Sequence, residues 1–258
     1  MKAKEIISVI EEFAPRNIQE EWDNSGLMAG DTGREVKSVL LGLDCTPELI
    51  LEASEIGADM IITHHPLIFK GIKRIGTDTV QERMISSIIK KDIVVYSVHT
   101  NIDKVPLGVS ALMADRIELR DTKILMPQQD SETGLGIVGD LTQPMEFDSF
   151  MKMVKERFSL KVVKTSKPIN SKILKVALCG GSGASLIPAA RASGAQIFIT
   201  GDISYHNYFC EDEFMIMDIG HYESEIDVLE LLMSVILKKI PNFAVHISER
   251  NNNPIYYH

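Results

Sequence analysis

Histidine follows three apolar segments of this sequence, each at the point where a buried strand would end. The segments and their histidines are residues 58–63 with His64 and His65, residues 93–98 with His99, and residues 214–220 with His221. Strands that are apolar throughout belong to sheets that are buried on both faces. In open α/β sheets, ligands bind beyond the carboxyl ends of the strands. Imidazoles repeated at that edge predict a metal centre.

An acidic residue stands four positions after two of these histidines, Asp103 after His99 and Glu225 after His221. Side chains at this spacing face the same way if the segment is helical. The predicted metal ligands are His64, His65, Asp103, His221 and Glu225. His99 then has three alternative roles: it orients a ligand, it moves protons, or it replaces one of the five ligands.

Mixed nitrogen and oxygen ligands suit zinc, iron or manganese. A catalytic zinc takes about three protein ligands and a water, so five donors are too many for one ion. They suit two divalent metal ions per subunit if Glu225 or a water bridges them. Two such ions would lower the pKa of a bridging water enough to give hydroxide near neutral pH. His99 and His206 are the candidate catalytic residues, because either could move the protons.

The overall charge limits the classes of partner. The chain has 27 Lys and Arg against 36 Asp and Glu, a net charge of −9, which disfavours non-specific nucleic-acid binding through a broad basic face. Its three cysteines have no paired spacing, which favours a reducing compartment. No export signal and no apolar run near the ~20 residues of a membrane span is visible. We therefore expect a cytoplasmic protein with no membrane association.

The histidine pair belongs to a predicted β-α-β run. Residues 39–43 predict a strand, and Thr46 followed by Pro47 is typical of a helix start. The helix should extend to about Ile56, and Gly57 should end it before the strand that leads to the histidine pair.

A second β-α-β run, from residue 176 to residue 200, repeats this order. When Gly57 is placed on Gly194, the coinciding pairs are Leu49/Leu186, Ile50/Ile187, Ala53/Ala190, Ala58/Ala195, Ile62/Ile199 and Thr63/Thr200. We predict an α/β fold of two similar α/β domains related by a pseudo-twofold duplication, with mixed sheets flanked by helices. The first domain would be residues 1–125, completed by 226–258, and the second would be residues 126–225.

Other segments predict further elements of the second half. Residues 134–141 predict a glycine-rich strand, residues 148–158 a helix, and residues 160–163 a strand. In the segment that would complete the first domain, a terminal helix is predicted over 226–239. Its start would place Glu225 at the positive end of the helix dipole and keep that carboxylate ionised.

Two glycine-rich segments and the single tryptophan are weaker signals. Residues 134–139 match G-x-G-x-x-G, but no strand precedes them, so we interpret them as part of a strand. Residues 180–183 would either cradle a phosphate at a helix start or make a tight turn. Trp22 is interpreted as an anchor of the core or of its loop rather than as a surface for substrate.

Motifs along nearly the whole chain resemble one known family. They are Trp22-Asp23-Asn24-Ser25-Gly26-Leu27, Thr63-His64-His65-Pro66, His99-Thr100-Asn101-Ile102-Asp103, Gly134-Leu135-Gly136, Gly201-Asp202-Ile203-Ser204-Tyr205-His206 and Gly220-His221-Tyr222-Glu223-Ser224-Glu225. The family is the Nif-three-like dinuclear-metal proteins, often labelled GTP cyclohydrolase 1 type 2 homologues. The resemblance implies two similar α/β domains, a two-metal centre and a ring-shaped homohexamer. The ligands that it implies are the five residues chosen above. Ile137 departs from the family pattern, which usually has arginine there.

The leading hypothesis is a dinuclear-metal-dependent hydrolase that acts on a nucleotide-like small molecule, with a metal-bound hydroxide as nucleophile. Ring-opening hydrolysis of the kind catalysed by a GTP cyclohydrolase is one version of this chemistry. The alternative is a non-catalytic hexamer that binds metal, delivers it or has a regulatory role. Nucleic acid is disfavoured as a partner by the net charge.

Overall fold

The computed structural model describes residues 1–129, 132–211, 213–250 and 252–258. They form two compact units, one of Met1–Ile102 with Val228–Pro254 and one of Asp103–Asp227 with Ile255–His258. The domain limits expected from the sequence stay a prediction. The two units differ from those limits chiefly in placing residues 103–125 with the second half.

The first unit contains one sheet and the helices that cover it. Its elements in chain order are α1 (Ala3–Phe13), a 3₁₀ turn (Arg16–Ile18), β1 (Gly26–Ala29), β2 (Ser38–Gly42), α2 (Pro47–Ile56), β3 (Met60–Thr63), α3 (Val80–Lys90), β4 (Val94–Ser97), α9 (Val228–Lys239) and β11 (Ala244–Ile247). A short helix, α4 (Thr100–Lys104), contains the point at which the chain leaves this unit.

Parallel pairing brings the ends of the central strands of the first unit together. The sheet order is β1-β4-β3-β2-β11, and only β1 in this order is antiparallel to its neighbour. Every residue of β3 and β4 is buried, as expected for strands covered on both faces. Thr63 pairs with Ser97, so the residues that follow these two strands emerge side by side.

Local capping explains helix α2, which confirms its predicted limits. The hydroxyl of Thr46 accepts a hydrogen bond from the amide of Leu49 at 3.1 Å, and Pro47 stands in the first turn. Gly57 ends the helix in the left-handed region at a φ of 69°.

The second unit contains a larger sheet. Its elements are α5 (Val109–Arg116), β5 (Arg120–Pro127), β6 (Gly134–Met145), α6 (Phe147–Arg157), β7 (Lys164–Thr165), β8 (Ile173–Ser182), a 3₁₀ turn (Ala184–Leu186), α7 (Ile187–Ala192), β9 (Ile197–Gly201), a 3₁₀ turn (Tyr205–Tyr208), β10 (Met215–Asp218) and α8 (His221–Glu225).

The sheet of the second unit repeats the core of the first. Its order is β5-β6-β8-β9-β10-β7, in which β8, β9 and β10 are parallel and the outer strands are antiparallel. The parallel run β8-β9-β10 corresponds to β2-β3-β4, and each run is followed by an antiparallel edge strand, β7 or β1. Gly194, at a φ of 77°, repeats the left-handed position of Gly57. The predicted α/β class, with two mixed sheets flanked by helices, is confirmed.

One predicted strand of the second half is wrong, and the terminal helix, which belongs to the first unit, begins two residues later than predicted. Residues 160–163 are not a strand, because Leu160 packs into the core from irregular chain and the strand forms only at Lys164–Thr165, where β7 pairs with β10. The terminal helix does not begin at residue 226. Glu225 instead ends the short helix α8, and α9 begins at Val228. The expected effect of the helix dipole on Glu225 is therefore wrong.

Among the described residues, the structure contains no helix that is both long enough and apolar enough to cross a membrane.

Candidate functional site

Three imidazoles meet at the carboxyl end of the sheet in the first unit. Strand β3 ends at Thr63, and the next two amides hydrogen-bond to Gly42 and Leu43 of the neighbouring chain segment, at 3.2 and 2.9 Å. This backbone brings the rings of His64 and His65 to a centroid distance of 4.9 Å.

The ring of His99, which follows β4, lies 5.3 Å from the ring of His64 and 5.5 Å from that of His65. We call His64, His65 and His99 the three-histidine cluster.

Each ring of the three-histidine cluster is oriented through its Nδ1 atom by an oxygen acceptor. The pairs are His64 with the Val98 carbonyl at 2.8 Å, His65 with the Asp44 carboxylate at 2.8 Å and His99 with the Asp23 carboxylate at 2.7 Å. Because a carbonyl or an ionised carboxylate can only accept, Nδ1 donates and Nε2 carries the lone pair that can coordinate a metal. One potential ligand nitrogen of each ring lies within 4.8 Å of the others.

Asp23 is itself held in place by several hydrogen bonds. One of its oxygens receives hydrogen bonds from the backbone amide of Thr100 at 3.0 Å, from the hydroxyl of Thr100 at 2.5 Å and from the hydroxyl of Ser25 at 3.1 Å. Burial raises the pKa of the Asp23 carboxyl, but the hydrogen bonds from His99 and Thr100 outweigh it and hold the pKa well below its usual range. The Asp23 carboxyl is therefore ionised near neutral pH and accepts the hydrogen bond from Nδ1 of His99.

The second unit holds a histidine and a carboxylate on helix α8. The Nε2 atom of His221 lies 3.0 Å from a carboxylate oxygen of Glu225, which is 4% exposed. The prediction that a spacing of four would face both side chains the same way is confirmed, because this turn is helical. The Nδ1 atom of His221 donates to Asp202 at 2.7 Å, the same arrangement as in the three-histidine cluster. We call His221 and Glu225 the α8 pair.

Glycine allows strand β8 to pass close to the α8 pair. A Cβ atom on Gly181, which has a φ of +62°, would lie 2.1 Å from a carboxylate oxygen of Glu225. Gly201 ends the neighbouring strand β9, and a Cβ atom on it would lie 2.8 Å from the backbone of His221. Strand β8 continues through Ser182. Gly181 is therefore explained by its close approach to Glu225 within a strand rather than by a tight turn, and a phosphate cradle over residues 180–183 stays a prediction.

Asp103 and Glu225 both act on one buried thiol. Burial raises the pKa of Cys179, and the negative charges of Asp103 and Glu225 raise it further. In the first unit, burial and the charge of Asp44 raise the pKa of Cys45 to about 12. Both cysteines are therefore neutral thiols near pH 7.

A model of the Duf34/NIF3 (NGG1p interacting factor 3) family matches residues 1–254 of this chain. The chain belongs to this family. A relative from Clostridium perfringens, named GTP cyclohydrolase 1 type 2 homolog, is 41% identical over 233 residues, which cover 89% of this chain and 88% of that protein. A protein of the same name from Clostridium acetobutylicum is 34% identical, over 98% of each chain.

Solved structures of the Duf34/NIF3 type match the whole fold. The crystal structure of a Bacillus cereus protein related to NIF3 superposes with a TM-score of 0.91 at 25% identity, covering 100% of this chain and 99% of that one. A Staphylococcus aureus protein gives the same TM-score and coverage at 29% identity. The family resemblance expected from the sequence motifs is confirmed.

The structure places the sequence-predicted histidines and Glu225 in two donor sets, the three-histidine cluster of the first unit and the α8 pair of the second. Asp103 belongs to the second unit, where its charge acts on Cys179. The position of His99 supports the alternative in which it is itself a ligand. His206 lies apart on an exposed 3₁₀ turn, where its ring contacts are Tyr205 at 5.4 Å and Phe209 at 6.4 Å. Its role in moving protons stays a prediction. Sequence reasoning missed Asp23 and Asp44 as the groups that orient the rings.

Proposed function

We propose that this protein is a metal-dependent hydrolase that acts on a nucleotide-like small molecule. The observation that carries the proposal is the three-histidine cluster, in which every Nδ1 atom donates to an oxygen at 2.7–2.8 Å. Histidines that bind metal are usually fixed in this way, because the acceptor sets both the tautomer and the direction of the ring. These residues therefore fit a divalent cation by their chemistry and by their orientation.

The proposed ligands remain His64, His65, Asp103, His221 and Glu225, with His99 as an alternative ligand. Nitrogen and carboxylate donors suit zinc, iron or manganese, and five donors suit two ions. Such ions would polarise a bound water or a substrate oxygen and favour hydrolysis near neutral pH.

The residues of this chain have separate tasks in that proposal. Asp23 keeps a proton on Nδ1 of His99, so that Nε2 of His99 either binds metal or accepts a proton. Asp202 keeps His221 in the equivalent tautomer. The absence of a side chain at Gly181 leaves the space that the Glu225 carboxylate occupies. The substrate class is supported by the name of the relatives, GTP cyclohydrolase 1 type 2 homolog.

Elemental analysis and turnover assays of the same preparations test the proposal. The parent protein should hold two divalent ions per chain and hydrolyse a member of a panel of nucleotides. His65→Ala and Glu225→Ala should lose metal and activity together. His246→Ala is the matched control, because that histidine is exposed on β11 and outside both donor sets.

Each other outcome has a definite meaning. The two variants could lose metal while the metal-loaded parent protein shows no turnover. That result would support the alternative, a non-catalytic protein that binds metal, delivers it or has a regulatory role. A parent protein that binds no divalent ion would refute both readings.

The assembly is part of the same proposal. The family resemblance supports a ring-shaped homohexamer, for which native mass spectrometry should give six times the 28.8 kDa of one chain. A monomeric mass at micromolar concentration would contradict it.

A further inference from the structure

Trp22 is on the surface, so the interpretation of this residue as an anchor of the core is wrong. Its side chain is 59% exposed, and Phe69, from the loop after the histidine pair, is 43% exposed. Large aromatic side chains normally bury most of their area. Two of them left open beside each other are unusual, with ring centroids 5.8 Å apart and planes inclined at 52°.

Both rings contact the three-histidine cluster. Trp22 meets His99 edge to face at a centroid distance of 6.2 Å, and Phe69 meets the same ring at 6.3 Å. The residue after Trp22 is Asp23, whose carboxylate holds Nδ1 of His99. The aromatic surface is therefore attached directly to the residues that are proposed to bind metal. We call Trp22 and Phe69 the aromatic pair.

Hydrogen bonds fix the two loops that carry the aromatic pair. The side-chain amide of Asn24 donates to the carbonyl of Ile68 at 2.5 Å, which ties one loop to the other. The side chain of Gln81 donates to the carbonyl of Leu67 at 2.7 Å. Leu67 itself is buried in the core. Because these hydrogen bonds hold the backbone of both loops, the loops lose little conformational freedom when a ligand binds.

The loop that carries Phe69 is also locally basic. Lys70, Lys73 and Arg74 follow within five residues, all three are exposed, and no acidic residue interrupts residues 69–74. In a chain with a net charge of −9, this segment offers a local attraction for phosphate. We infer that the aromatic pair stacks on the planar heterocycle of a phosphorylated, nucleotide-like substrate and that the basic loop contacts its phosphate. This inference rests on the proposed function for the class of substrate.

The single tryptophan gives a direct measurement of binding. Because Trp22 is the only tryptophan, its fluorescence reports this position alone. Zinc-loaded full-length protein is titrated with GMP, AMP and CMP, and with ribose 5-phosphate as a probe that has the phosphate and sugar but no base. We expect saturable quenching by the three nucleotides and none by ribose 5-phosphate, since any base can stack.

Variants assign the binding to the aromatic pair. Phe69→Leu keeps the tryptophan and should weaken GMP binding by about ten-fold. Trp22→Leu should weaken it to a similar extent in equilibrium dialysis with labelled GMP, whereas Trp22→Phe should restore most of the affinity. Phe209→Leu is the control, because Phe209 is a still more exposed ring, at 69%, on the second unit. Its GMP affinity should equal that of the parent protein.

Three results of the binding measurements would overturn the inference. They are no saturable quenching by any nucleotide, equal quenching by ribose 5-phosphate, and unchanged GMP affinity in both Phe69→Leu and Trp22→Leu. A changed native mass of Trp22→Leu would also overturn it, because the aromatic pair would then be a contact between copies of the chain.

The binding assay separates this inference from the proposed function. Nucleotide binding that depends on the aromatic pair, in a protein that hydrolyses none of the panel, would keep the inference and refute the hydrolase. Hydrolysis that is unaffected in Phe69→Leu and Trp22→Leu would keep the hydrolase and refute the inference.

Discussion

Replacing Gly181 by alanine should reduce metal affinity by a mechanism that the structure specifies. The new Cβ atom would lie 2.1 Å from a carboxylate oxygen of Glu225, whereas an ordinary contact begins at 3.4 Å. The Glu225 carboxylate must therefore move by roughly 1 Å, or the strand must shift. Displacing a group that positions a metal ligand typically lowers affinity by about 10- to 100-fold. We expect a loss in that range for Gly181→Ala.

A matched control removes the effect of backbone strain. Gly194 has a φ of +77°, close to the +62° of Gly181, but a Cβ atom on Gly194 would have no atom within 4 Å. Alanine in this left-handed region costs about 1–2 kcal/mol at either position. Gly194→Ala should therefore lose a similar conformational stability and keep the metal affinity of the parent protein.

The assay is competition for zinc against a chromophoric chelator, together with thermal unfolding of the same three proteins. We expect lower melting temperatures for both variants and a weaker zinc affinity for Gly181→Ala alone. Equal zinc affinity in Gly181→Ala and the parent protein would refute it. An equal loss of affinity in both variants would also refute it, because strain rather than contact with Glu225 would then be the cause.

Three further substitutions test the supports of the site and the core. Asp23→Asn removes the charged acceptor of His99 and should weaken zinc binding by about ten-fold in the same competition assay, with an unchanged circular dichroism spectrum. Asp218 is buried and accepts hydrogen bonds from two backbone amides, a tyrosine hydroxyl and the ammonium of Lys164. Asp218→Asn should therefore lower the free energy of unfolding in urea by about 3 kcal/mol or more. A loss below about 1 kcal/mol would contradict this. Phe150→Ala opens a cavity in the core of the second unit and should lower the free energy of unfolding by about 3–5 kcal/mol in the same measurement. An unchanged unfolding midpoint would contradict this, because the core around residue 150 would then have repacked.

The histidines at strand ends were predictable because the signals are local. An apolar run that stops at a histidine identifies both the buried strand and the residue that follows it, as at Thr63 and His64. The caps of α2 were predictable for the same reason, since Thr46, Pro47 and Gly57 act within one helical turn of the helix ends.

The groups that orient the histidines were not predictable, because the contacts join distant parts of the chain. Asp23 lies 76 residues before His99, and in sequence it resembles an ordinary turn former beside Asn24. Strand β5 was missed because most of its residues are exposed and show no apolar alternation. The sequence around Gly181 suggested a turn, because the requirement for glycine at this position comes from a tertiary contact with Glu225 that the sequence does not show.

The discontinuous first unit has a consequence for synthesis on the ribosome. Helix α9, whose Leu229, Leu232 and Ile236 are buried, packs against α1, and β11 pairs along β2. A nascent chain that has reached only residue 227 therefore carries an α1 that lacks its covering helix and a sheet that ends at an unpaired β2. Residues 1–102 of the first unit cannot complete their fold until residues 228–247 have been synthesised. Throughout that interval, we expect the nascent first unit to need chaperones that cover the open edge at β2 and so prevent aggregation.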